Sequence, residues 1–188
     1  TDVSDKWIFG GWSDGKNHSG NTSVTMESGT VTKNIYGGSS GGTLEGSTKV
    51  IIKGGKVGWV YGGGEYDTVN GTARVTIHSG SKIWGNSAGS DSADAFNRGT
   101  VFGGGYGGTV NKTEVTLLGG DFGWAYGGGN GSTVTSTKMQ LLGNPDSWCS
   151  VFGGGNGGKI ETANLTARKI DSDYAVFLYG GGWCDDVE

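Results

Sequence analysis

Few side chains in this sequence can do acid–base or nucleophilic chemistry. His18 and His78 are the only histidines, and nothing in their spacing supplies the hydroxyl and carboxylate that a catalytic imidazole must bridge. Arginine stands only at 74, 98 and 168, and the 18 acidic residues are scattered. Glu65 and Asp67, near one corner, are a pair that could serve as general acid and base, since two carboxylates must face each other across a bond. Their glycine-rich surroundings predict a solvated corner instead. The chain is read as a non-enzyme, with a polysaccharide-degrading enzyme as the weakest alternative.

The cysteines are Cys149 and Cys184. They fit either a staple between the last two repeats, in an oxidising compartment, or two free thiols. Neither belongs to a CxxC pair, so no zinc site is predicted. Gly103 to Gly108 matches GxGxxG, but no Gly-Lys-Ser/Thr is present and no helix is expected to follow, so the match reads as an accident of composition. The segment "GGNGSTVT", 128–135, resembles the calcium nonapeptide of β-roll proteins. Thr133 replaces its aspartate, and the equivalent places hold Thr109 and Lys159, poor partners for a cation that wants carboxylates. No cofactor or metal is implied.

What repeats is structural. Glycine doublets preceded by an aliphatic and an aromatic residue begin at 10, 37, 62, 103, 127, 153 and 180. Successive gaps cluster near 25 residues, except one of 41, and such a period signals a solenoid. Seven residues beyond each later doublet comes Leu44, Val69, Val110, Val134 or Ile160; the first repeat has Asn17 there. An alternating run follows, with pairs such as Val50/Ile52, Val75/Ile77 and Val115/Leu117, the period of a strand with one face inward. One coil cannot hide its apolar face, but a stack can. The predicted fold is all-β: a parallel β-helix of about seven coils, each of about 25 residues with three short strands, right-handed. The glycines serve corners with positive φ and close backbone approach.

Two features carry the binding expectation. Just before the doublets stand Trp7, Asn34, Trp59, Thr100, Trp124, Ser150 and Phe177. Alternation turns this position outward, and Trp7, Trp59 and Trp124 are predicted to be exposed contact residues. The rings two positions on (Phe9, Tyr36, Tyr61, Phe102, Tyr126, Phe152 and Tyr179) share that parity, yet an aromatic in every repeat argues for packing, so they are expected to tuck in and stack. The second feature is the long gap, "WGNSAGSDSADAFNRG", 84–99, read as a surface loop insertion with Trp84, Asp91, Asp94, Phe96 and Arg98 as contacts.

Net charge is −4 with both signs dispersed, which argues against nucleic acid. No apolar run is long enough for membrane insertion. The chain opens inside a repeat and ends abruptly on "GGGWCDDVE". It is read as one solenoid domain, 1–188, excised from a longer exported protein and monomeric as a fragment.

The recurring "VYGGG…GTV…VTL" pattern resembles the glycine-rich solenoid regions of very large surface and secreted proteins of gut bacteria, among them adhesins and immunoglobulin-binding proteins. The resemblance implies an extracellular binding module. Its expected partner is a host protein such as immunoglobulin, with a host or mucin glycan as the alternative.

Overall fold

The computed structural model describes residues 7–88, 98–168 and 170–183. The chain winds as a parallel β-solenoid of about six turns. A front sheet stacks Ile8–Phe9, Thr30–Tyr36, Gly55–Tyr61, Thr100–Phe102, Trp124–Tyr126, Cys149–Phe152 and Val176–Tyr179 in that order. A back sheet stacks Thr22–Met26, Thr48–Ile52, Thr68–Ile77, Thr109–Leu117, Thr133–Leu141 and Ile160–Ala167. The third side of each coil is slighter than predicted. It is carried by the short strand Ser81–Ile83 and by isolated bridges such as Lys82 to Asp121 and Gly120 to Pro145. Among the described residues the only helix is a 3-10 turn, Gly85–Ser87, and none is long and apolar enough to cross a membrane.

Like residues lie over like. Val60 pairs with Ile35 and Val101, and Val75 with Val50 and Val115. These alternate residues form the main core between the sheets. The column Val69, Val110, Val134 and Ile160, with Ala73, is a second apolar core of its own.

The glycine doublets build the link between those cores. The tract continues the front ladder: Gly62 N–H donates to Phe102 C=O, and Gly63 N–H to Gly104 C=O, each across one coil. A Cβ at Gly103 would stand 2.1 Å from the carbonyl oxygen of Gly127 and 2.7 Å from a methyl of Val115. The doublet is therefore glycine because backbone and back sheet crowd it. Left-handed φ belongs to the corner beyond, at Gly107, Gly131 and Gly157, all near +68°. Buried threonines bind the layers. Thr22, Thr48, Thr113 and Thr137 each donate a hydroxyl to the carbonyl of Gly37, Gly62, Gly127 or Gly153, satisfying acceptors that no water reaches.

Candidate functional site

The ring ladder sits on the outward side of the front sheet, apart from the main core. Its five inner rings, Tyr36, Tyr61, Phe102, Tyr126 and Phe152, are nevertheless buried because the rings cover one another, while Phe9 at one end is half-buried and Tyr179 at the other is exposed. Centroids from Phe9 to Tyr179 are 4.6–5.3 Å apart, with ring planes within 15° of parallel. Rings one strand spacing apart can stack at every step. The expected stacking is present, but the rings form a cluster separate from the aliphatic core.

This ladder is the floor of a groove running along the solenoid axis. On one side stands the outward column two residues earlier, paired coil by coil: Asn34 with Trp59, Thr100 with Trp124, Trp124 with Ser150, and Ser150 with Phe177. On the other side the corner residues Glu65, Tyr106, Asn130, Asn156 and Trp183 form a bridged column. Tyr106 and Trp183 set their rings edge-on to Tyr61 and Phe152. Two hollows of about 540 and 320 Å³ occupy this trough and share Thr100 and Asn156.

The polar groups of the groove are arranged to donate and accept. The Asn34 amide donates to the Tyr36 hydroxyl at 2.8 Å, and the Tyr61 hydroxyl is hydrogen-bonded by Asn130. Burial pushes the Tyr36 phenol up to about 12, with the Glu65 carboxylate adding to the rise, and burial raises Tyr61 as well. Both phenols stay neutral near physiological pH and can donate. Among the described residues lining the two hollows, Glu65 alone carries a formal charge.

Trp7 and Trp124 are exposed at 58% and 40%, and Trp59 is half-buried against the ladder. All three line the groove. Trp84 and Arg98 depart from expectation. Trp84 is only 5% exposed. Its indole N–H donates to Asp121 Oδ2 at 2.8 Å, and the ammonium groups of Lys56 and Lys82 lie over its ring. The Arg98 guanidinium pairs with the other Asp121 oxygen. Both residues are thus engaged with Asp121, one at each end of the insertion. Asp91, Asp94 and Phe96 lie outside the described residues.

The pair Glu65 and Asp67 does not form a solvated corner, and its members do not act together. Glu65 lines the groove. Asp67 is 1% exposed, with Oδ2 accepting from Ser39 N–H at 2.8 Å and Oδ1 from Gly64 N–H at 2.9 Å. Its carboxylate is a corner brace. His18 is likewise engaged, stacked on Trp12 and 2.9 Å from Asp14. Cys149 is a buried thiol in the core, pushed up to about 12 by desolvation. It has no disulfide partner among the described residues, and Cys184 lies outside them.

Sequence reasoning missed Tyr66. It has φ of +58° where four other coils have glycine, and it is 63% exposed at the groove rim with its ring edge-on to Tyr106 at 5.4 Å. The signal was available: Gly41, Gly107, Gly131 and Gly157 occupy the same place in their repeats. A bulky residue held in the left-handed region is strained, and such strain gathers at functional sites.

The fold and groove together define a class: a parallel β-solenoid with an aromatic trough along one face. No family model matches the chain, nor does any curated protein or solved structure.

Proposed function

We propose that this chain is a non-catalytic binding module of an exported bacterial surface protein, and that it takes an elongated host macromolecule along the front groove. The observation that carries this reading is the groove itself. Exposed tryptophans stand on one wall, amides and phenols on the other, and a rigid stacked floor lies between. Monomeric proteins seldom leave such aromatic surface in water without a partner. Rings with hydrogen-bonding groups beside them suit a sugar chain, which offers apolar ring faces and hydroxyl edges together.

A glycan is therefore the occupant that the geometry favours. A host protein such as immunoglobulin is the second reading, supported by the exposed row of Trp7, Trp124 and Phe177, a kind of surface that also anchors protein partners. Catalysis draws no support from Glu65 and Asp67, since backbone amides occupy both Asp67 oxygens.

The test is binding of the wild-type domain and a Trp59→Ala/Trp124→Ala variant to a glycan array, to mucin and to serum immunoglobulin. Binding that the double variant loses supports the groove. Equal binding by the two proteins contradicts it.

A further inference from the structure

The wall column of the groove alternates without exception. Trp7, Trp59, Trp124 and Phe177 are its aromatic members, and Asn34, Thr100 and Ser150 separate them, one polar residue on each intervening coil. The neighbouring ladder shows that rings can stack on every coil of this fold, so the alternation is not forced by crowding. It places an aromatic platform every two coils, about 9.6 Å along the axis.

We propose that the groove holds an unbranched, uncharged, extended glycan lying parallel to the solenoid axis, with a sugar stacked on the aromatic of every second coil. This rests on reading the groove as a binding site and specifies what fills it. In an extended β-1,4-linked chain each sugar is turned over relative to its neighbour. The same ring face recurs every second sugar, with a rise close to that of two coils. The sugar between platforms lies over Asn34, Thr100 or Ser150; Thr100 is buried between its neighbours, and the half-exposed Asn34 and Ser150 are the ones whose amide or hydroxyl can hydrogen-bond a sugar edge. Across the trough, Asn130 and Asn156 line the hollow on successive coils, the Asn156 amide donating to the Asn130 oxygen. Charge complementarity sets the class further. The lining carries no Lys or Arg among the described residues, and its one charge is the Glu65 carboxylate, which repels sulfated or uronic acid chains. A folded protein partner has no reason to match a strict two-coil period.

The experiment is calorimetric titration with β-1,4-linked oligomers of glucose and of N-acetylglucosamine, two to eight sugars long, beside a sulfated counterpart. Affinity is expected to rise in steps of two sugars, with little gain from each odd unit. Trp59→Ala and Trp124→Ala should each weaken the hexamer about tenfold or more. Ser150→Trp, which fills the half-exposed gap between Trp124 and Phe177, should weaken it too, with the circular dichroism of all variants unchanged. Smooth growth of affinity with length, or strengthening by Ser150→Trp, overturns the two-coil register while leaving a glycan groove intact. Preference for the sulfated chain overturns the charge argument. No binding of any neutral linear glycan, alongside capture of serum immunoglobulin that Trp59→Ala abolishes, overturns the glycan and leaves the groove. Binding of any partner that ignores both tryptophans overturns groove and glycan together.

Discussion

The indole N–H of Trp84 donates to the carboxylate of Asp121 across 37 residues of sequence. The other oxygen of that carboxylate takes Arg98, at the far end of the insertion. One side chain on the next coil therefore pins both ends of the loop at 84–99. Both partners of the ion pair are largely shielded from water, at 18% and 15% side-chain exposure. Removing one partner strands the other. Asp121→Ala is expected to cost about 3 kcal/mol in urea unfolding, and Asp121→Asn less, because an amide oxygen still accepts from the indole.

The two kinds of glycine should fail differently. Gly103→Ala drives a methyl into the Gly127 carbonyl oxygen at 2.1 Å. It should destabilise by about 3 kcal/mol or more, or prevent folding. Gly131 has φ of +67° and open space around its Cβ position, so Gly131→Ala meets only the left-handed penalty, about 1–2 kcal/mol. Equal losses at the two sites would contradict the assignment of the doublets to backbone crowding. Thermal and urea unfolding of both variants decide it.

Tyr66 should separate stability from binding. Asparagine tolerates the left-handed region better than tyrosine does. Tyr66→Asn is expected to leave stability unchanged or raise it by less than about 1 kcal/mol. The same change removes a ring from the rim and should weaken ligand retention. A variant that is both less stable and fully able to bind would show that the strain has no bearing on the groove.

Asp67 gives a pH signature. Burial raises its carboxyl above the ordinary value of 3.8, against the lowering effect of its backbone hydrogen bonds to Ser39 and Gly64. The native state therefore holds this proton more tightly than the unfolded chain. The stability it contributes is fully present below the unfolded value and is lost as pH rises through the folded one. Asp67→Ser supplies the reference, since Ser132 stands at the same place two coils on. The stability of wild type relative to Asp67→Ser should grow as pH falls from 7 toward 4. A difference that shrinks on acidification would mean that the backbone hydrogen bonds outweigh burial.

Much of this fold was legible because a solenoid repeats its physics. Val75 and Ile77 alternate as Val50 and Ile52 do, and register follows from stacking like on like. The ring ladder was legible as a stack but not as a separate cluster. Parity placed Tyr61 opposite Val60, and only the neighbouring rings and the Tyr106 edge explain how an outward residue is buried. The burial of Trp84 was not legible because its partner, Asp121, lies in the next coil at a position that the repeat does not mark. Asp67 looked like a surface acid because the amide of Ser39, 28 residues away, reaches it from the preceding coil. The groove needed the coordinates, since its far wall comes from corner residues of five different coils.

The seven tryptophans offer the most direct test of the central claim, that the front trough is the binding surface. Their indole N–H resonances can be followed by nitrogen-edited NMR while the tightest ligand from the glycan and serum screen is titrated in. Trp7, Trp59, Trp124 and Trp183 line the trough. Trp84 is buried on Asp121, and Trp148 is 64% exposed away from it. The account predicts that the first four signals shift together while Trp84 and Trp148 stay still. Movement of Trp148 with Trp59 and Trp124 unmoved would contradict it.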